Sequence, residues 1–293
     1  MLAMLLGCRA PTTPPTPPEP DPVVLTVSAW FSDAIAVLDP TTGERLGTIR
    51  DVHGPQTVLS LPDGGWVACE ELEDRLVRVD PASLQAGAPL VVDEASTPQD
   101  ETGGLVHPDA ATFGPDGRLY VASFETDQVL RYAQDGTFLD VVVAAGAGGL
   151  AGPDLGLSFD PGGALVVPGW TSNRVHRFDP DTGAELPDLV PASAELRRPR
   201  GVVFDGAGRA WVAAEGSGVV VRVEDGAVEP FATISGPTGL ALDEAAGVLW
   251  VASGEDDEVR AFDLETGEDR GVTFGGGGLR GLTSLGRLSR PRG

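Results

Sequence analysis

Lysine is absent from this 293-residue chain: its 20 basic residues are all arginine, set against 44 acidic ones for a formal charge of −24. A field of that sign repels phosphate backbones and argues against nucleic acid as a partner. It leaves the acids to serve as a solvated, anti-aggregation surface or as a means of binding cations. Cysteine occurs twice, at Cys8 and Cys69, too few for a disulfide framework if Cys8 is acylated. Cys69 stands in an apolar stretch, WVACE, and reads as a small buried hydrophobe. No apolar run is long enough for a transmembrane helix. There is no G-x-S-x-G elbow, and Gly216-Ser217-Gly218 reads as a loop between strands. Asp179, Asp181 and Gly183 have the start of a calcium loop, but Val190 stands where its closing Glu is needed, so a hairpin turn accounts for them.

What the chain does have is glycine (40), proline (25) and 41% hydrophobic residues, a composition of short strands and many turns. Residues 1–8 end in Leu5-Leu6-Gly7-Cys8, which resembles the remnant of a signal peptide closing on a bacterial lipobox, with Cys8 as the lipidation site. Residues 9–22 are Pro/Thr-rich and carry no core-forming side chains, as a semi-rigid tether would. Together they predict a protein held at a membrane by one lipid anchor.

From residue 23 to 293 the chain repeats itself. GPQTVLSLPDGGWVACE opens at Gly54, HPDAATFGPDGRLYVASFE at His107, GPDLGLSFDPGGALVVPGW at Gly152, RPRGVVFDGAGRAWVAAE at Arg198 and GPTGLALDEAAGVLWVASGE at Gly236. Their spacing lies in the range of propeller blades. Each unit reads as an apolar strand after a proline, a Gly/Asp/Pro turn, a second strand, a third such as RLVRVD or RVHRFD, and a fourth after an Asp-led turn. Val24 to Trp30, Ala34 to Asp39 and Gly47 to Arg50 supply three strands of a sixth unit, and Leu282 to Leu285 its missing first. The fold expected is all-β: a six-bladed β-propeller closed by N- and C-terminal strands sharing one blade, which leaves no open edge.

This pattern resembles the NHL-repeat and SMP-30/gluconolactonase/strictosidine-synthase-like propellers, and more loosely those of the YncE type. That architecture hosts hydrolases, lyases and pure binders alike. The resemblance implies that the loop entering each innermost strand and the loop leaving each second strand open together around the axis. The inner ring is then Gln56, Asp109, Asp154 (or Leu155), Arg200, Thr238 and Gly281. The outer ring is Trp30, Glu70, Phe124, Trp170, Glu215 and Gly254, with Glu71, Glu125 and the run 255–258 beyond. Such a funnel suits a cation, a sugar or a peptide.

In the lactonase-like propellers an axial divalent ion, calcium or another, is held at positions that correspond here to His53, Asp109, Asp154 and Arg200. A fixed guanidinium in that set repels the ion and pairs instead with Asp109 or Asp154. His53 and His107, in neighbouring loops beside Asp109, are the candidates for acid–base work. His176, in a third strand, reads as half-buried structure, and the His–metal motif of the virginiamycin-lyase propellers has no match. The function expected is a monomeric, envelope-anchored binding module for a protein, peptide or small molecule, at the outer membrane or periplasmic face, or secreted. The alternative is a metal-dependent lactonase-like hydrolase or lyase.

Overall fold

The structure is a computed structural model that describes residues 21–92, 101–193, 196–275 and 278–291. Cys8 and most of the tether lie outside the described residues. The strands form six four-stranded antiparallel sheets, the blades of a β-propeller. Blade 1 is the composite one. The last strand, Leu282–Ser289, pairs with the first, Val23–Ala29, in antiparallel register from Val23 opposite Ser289 to Ala29 opposite Leu282. Each remaining blade is continuous in sequence.

Period-two alternation explains the ring. Along the second strand of blade 2 (Trp66–Glu70), Trp66 and Ala68 face blade 1, whereas Val67 and Cys69 face blade 3. Every blade divides its apolar residues in this way. Six buried clusters result, each filling the wedge between consecutive blades, and the one joining blade 6 to blade 1 closes the circle. Removing apolar area from both faces of every sheet is what a lone four-stranded sheet cannot do.

In four repeats the proline is the first residue of the inner strand, where no ladder donor is needed, and in blade 4 Pro153 forms an isolated bridge ahead of the short strand Ser158–Phe159. Pro55 pairs with Glu70, Pro108 with Ser123, Pro153 with Gly169, Pro199 with Ala214 and Pro237 with Ser253. Leu282 takes the place in blade 1, opposite Ala29.

The residue before each of these positions is left-handed: Gly54, His107, Gly152, Arg198, Gly236 and Gly281 have φ between 47° and 64°. That requirement explains the glycines, and His107 and Arg198 adopt the conformation at some cost. Its carbonyl accepts the N–H of the residue that follows the second strand, in turn Glu71, Phe124, Trp170, Glu215, Gly254 and Trp30. Its own N–H is held by the preceding blade: Asp33 binds Gly54, Asp74 binds His107, Asp127 binds Gly152, Asn173 binds Arg198 and Asp257 binds Gly281, at 2.5–2.9 Å. Blade 5 has Gly218 at this place. These staples align all the loops of one face around the axis.

Candidate functional site

The staples fix which side chains ring the axis. Immediately after each inner-strand start come Gln56, Asp109, Asp154, Arg200, Thr238 and Thr283. All but Arg200 are less than 7% exposed, and the Arg200 side chain is 13% exposed. Thr283 therefore replaces Gly281, which is the left-handed residue before the strand; matching residue types had placed the blade-1 position two residues early. In blade 4, Asp154 takes the ring position, with its N–H bonded to the Pro168 carbonyl.

Above this ring stand Trp30, Glu71, Phe124, Trp170, Glu215 and Gly254, each accepted by a lead-in carbonyl. Glu70 does not belong here. It is fully buried, and its carboxylate accepts the His53 N–H at 2.9 Å and the Arg75 Nε–H at 2.5 Å. At the same place in their blades the Ser123 hydroxyl accepts the Val106 N–H, and the Ser253 hydroxyl donates to the Ser235 carbonyl. WVACE and WVAAE match in letters but differ in register by one residue: Pro55 pairs with Glu70 but Pro199 with Ala214, so Trp66 faces the preceding blade and Trp211 the following one.

Two indole–carboxylate pairs dominate the upper ring. Trp30 Nε1–H donates to Glu71 Oε2 at 2.6 Å, and Trp170 Nε1–H donates to Glu215 Oε2 at 2.7 Å. They lie in blades 1–2 and 4–5, diametrically opposite in a ring of six. Gln56 Nε2–H also donates to Glu71 Oε2, leaving Glu71 Oε1 facing His107 Nδ1 at 3.8 Å. Phe124 meets Trp170 edge-on at 6.1 Å, and the Arg198 guanidinium lies 4.5 Å from the Trp170 ring.

Below, Arg200 pairs with Asp154, its Nε 3.1 Å from Oδ2, and reaches toward Glu215 Oε1 at 3.6 Å. Burial raises the Asp154 carboxyl, and Arg200 opposes that rise. Asp109 has no such partner. Burial first, then the negative charges of Asp154 and Glu71, push its carboxyl well above the usual carboxylate range. Of this tightly coupled pair, Asp109 is the carboxyl pushed further toward its protonated form, because the guanidinium sits on Asp154. Its Oδ1 and the Oε1 of Gln56 are buried and find no hydrogen-bond partner among the described residues. Thr238 and Thr283 are spent on structure, their hydroxyls donating to the Leu282 and Pro55 carbonyls of the next blade.

A cavity of about 290 Å³ opens off this ring. Trp30, Phe31, Gln56, Glu71 and Thr283 line one side, Arg200 and Glu215 lie across, and Thr238, Gly254, Glu255, Gly281 and Leu282 complete it. Phe31 is 69% exposed at its mouth, edge-on to Trp30. Phe124, Trp170, Asp109 and Asp154 sit outside its walls.

The residues do not fit an axial metal. The guanidinium at the Arg200 position consumes Asp154 and places a fixed positive charge where a ligand carboxylate is needed. Among the described residues, no group of three His, Cys, Asp or Glu side chains is placed to hold an ion. His107 stands between Glu71 and Glu125, 3.7 Å from the latter, while His53 is exposed and contributes only its backbone N–H to Glu70 among the described contacts. Cys69 is a buried free thiol, pushed up chiefly by burial.

A constellation not legible in the sequence lies in blade 4. Ser172 Oγ is 2.9 Å from His176 Nε2, and His176 Nδ1 is 3.6 Å from Asp188 Oδ1. It has the outline of a nucleophile–base–acid series, yet His176 is completely buried rather than half-buried, with its pKa lowered to about 4, chiefly by burial. Ser172 fills the space left by the missing side chain of Gly169, where an added Cβ would meet its Oγ at 2.0 Å. Ser123 and Thr126 knit the same loop in blade 3. The series is a loop fastening.

The chain matches no family model, and no curated protein matches it by sequence. Solved structures are similar in fold. A chain of a nidogen/laminin complex superposes with a TM-score of 0.71 at 18% identity, covering 90% of this chain and 97% of that one. The fold is a six-bladed propeller of this kind. A protein of unknown function from Bacteroides caccae gives 0.67 at 15% identity, with 91% and 99% covered. A streptogramin B lyase gives 0.58 at 12%, with 88% and 84% covered. Binding proteins and lyases thus share the architecture, and likeness at these identities concerns the fold alone.

Proposed function

We propose that this chain is an envelope-tethered lipoprotein whose propeller works as a non-catalytic binding module through its axial funnel. The observation that carries this reading is Arg200. It occupies a ring position where a metal-dependent lactonase or lyase would need an anionic ligand, and it is already neutralised by Asp154. What remains is an aromatic and acidic cavity suited to recognition. The nidogen/laminin likeness supports the reading by analogy of fold. The tether, residues 9–22 behind a lipidated Cys8, is consistent with a first strand that runs from Val23 toward the funnel face. Binding is to a protein, peptide or small molecule, by a monomer at the outer membrane or periplasmic face.

The test is elemental analysis of purified protein before and after chelation, with hydrolase and lyase assays on lactones and cyclic depsipeptides. No stoichiometric divalent ion and no turnover are expected. One tightly held ion per chain, with activity that chelation abolishes, overturns the reading in favour of the metal-dependent hydrolase or lyase. Mass spectrometry of the native membrane fraction tests the anchor, which an unmodified Met1 or a free Cys8 thiol would retire.

A further inference from the structure

We infer that the rim over blades 1 and 2 docks a segment of a partner protein that carries apolar side chains between basic ones. This rests on the binding-module reading and names the kind of partner. One residue beyond the upper ring stand Phe31, Leu72, Glu125, Thr171, Gly216 and Glu255. Only blades 1 and 2 put a large apolar side chain there, and these are the two most exposed large hydrophobic residues among those described, Phe31 at 69% and Leu72 at 50%. A side chain at Gly54 would meet Leu72 Cγ at 2.8 Å and Trp30 Nε1 at 2.9 Å, so the leucine and the indole close over the same glycine. Phe31 lies edge-on to that indole at 4.9 Å. Phe31, Trp30 and Leu72 therefore form one row across two blades. A single exposed apolar residue needs no explanation, but two at the same place in neighbouring blades, joined by an indole, make a patch of the kind that marks an interface. Phe31 also borders two hollows, the axial cavity and a second of about 330 Å³ lined by Gly254, Asp257, Arg280 and Gly281. A partner side chain thus has room beside the ring.

Charge selects the partner. Asp33 shares the loop of Phe31, Glu73 and Asp74 follow Leu72, and Glu255 and Asp256 hold the neighbouring loop of blade 6; all five are exposed and none has an arginine partner among the described residues. Against them stands Arg280, whose carbonyl accepts the Phe31 N–H. Across the ring from Leu72, on blade 5, Arg197 and Arg198 are exposed and lack a carboxylate partner among the described residues, and Arg198 rests on Trp170. The face is thus negative around the apolar row and positive opposite it. A basic segment is drawn to the row and turned away from blade 5. An apolar centre with a charged, solvated rim is the anatomy of a protein interface. A second copy is a poor occupant, because two chains of charge −24 would meet acid rim to acid rim. Anionic lipid headgroups are repelled on the same ground. A protein segment with arginine or lysine flanking leucine or phenylalanine answers both the row and its rim.

The test is fluorescence anisotropy of labelled, capped peptides on the intact protein at low ionic strength. The peptides are Arg-Arg-Leu-Phe-Arg-Arg, its apolar-free counterpart Arg-Arg-Gly-Gly-Arg-Arg and its acidic counterpart Glu-Glu-Leu-Phe-Glu-Glu. Expected is saturable binding of the first that exceeds both counterparts by about tenfold and weakens about tenfold or more in each of Phe31→Ser and Leu72→Ser. The same affinity should stay within about twofold in Leu139→Ser, which changes an exposed apolar side chain on blade 3. All three variants alter solvent-facing residues, and their melting temperatures check that the fold is intact. Undiminished binding in Phe31→Ser and Leu72→Ser, or equal affinity for the Gly-Gly peptide, overturns the inference, since charge alone then suffices. Self-association in sedimentation equilibrium that Phe31→Ser abolishes assigns the row to a second copy. Flotation with phosphatidylcholine–phosphatidylglycerol vesicles that Phe31→Ser abolishes assigns it to a membrane. Either result overturns the partner named here. If no peptide binds, this inference falls alone, because the binding-module reading falls to a bound ion and turnover in the assays above.

Discussion

In blades 1 to 3 the loops above the axis supply Trp30, Glu71 and Phe124; in blades 4 to 6 they supply Trp170, Glu215 and Gly254. The same indole–carboxylate pair is thus built twice, across the axis from itself. Beneath it the halves part company. The second half answers its buried carboxylate with a guanidinium, Asp154 with Arg200. The first half has Gln56 and an Asp109 whose carboxyl burial pushes upward, and among the described residues an oxygen of each is unpartnered. The backbone staples hold both halves to one geometry, so the side chains were free to diverge. One half settles its buried charge with a partner, and the other leaves two buried acceptors unmade.

The largest effect expected from breaking this contrast is in the second half. Arg200→Ala leaves Asp154 buried and unpaired and should cost about 3–5 kcal/mol of stability, whereas the counterpart Gln56→Ala should cost about 1 kcal/mol or less. Denaturant unfolding measures both, and adding Asp154→Asn to Arg200→Ala should recover most of the loss. Equal costs would dissolve the distinction between the halves.

Next in size is the contrast between neutralising a carboxyl that has no guanidinium partner and one that has. Asp109 keeps its proton above the pH at which the unfolded chain gives its own up. Stability is therefore lost as pH rises from about 4 through the folded value. Asp109→Asn should match the parent at pH 4, exceed it at pH 8 and flatten the profile, while Asp154→Asn should be less stable at pH 8 because Arg200 loses its partner. Thermal melts across that range decide, and an Asp109→Asn protein weaker than the parent at pH 8 contradicts the assignment.

The two indole pairs should respond alike. Trp30→Phe and Trp170→Phe each remove one hydrogen bond to a charged acceptor, at a cost of about 1–3 kcal/mol. Cycles with Glu71→Gln and Glu215→Gln compare the couplings, and a twofold or greater disparity would show that the halves differ above the ring as well. The smallest effect sharpens the scaffold itself. Gly218 has φ of 65° where the other blades place Asp or Asn, and Gly236 is a buried residue at the stapled position. Gly218→Asn supplies the missing staple in a residue that tolerates this backbone, for a gain of about 0.5–1 kcal/mol read as a raised melting temperature.

The blades were legible because in four repeats a proline starts the inner strand and each Asp-led turn closes a hairpin; Asp39, Asp80, Asp179 and Asp263 all accept backbone N–H groups in this way. Closure was legible too, since a unit lacking its first strand faced a strand lacking its unit. Register within the rings was not wholly so. Pairing of Pro55 with Glu70 places Glu71, not Glu70, over the axis, and likeness of WVA triplets obscured it. The carboxylate staples were hidden for another reason. They join positions 21 to 33 residues apart, and among 44 acids nothing in the letters separates a fastening from a solvated charge.

The clasp between the first and last strands also gives the molecule a direction. The Arg290 N–H meets the Pro22 carbonyl at 2.9 Å, at the ends of those strands remote from Trp30 and Gly281. Both ends of the ring thus depart from its underside. On the tether proposed above, the protein would stand like a goblet on its stem, bowl upward, so that whatever drifts past the surface would meet the open mouth before the foot.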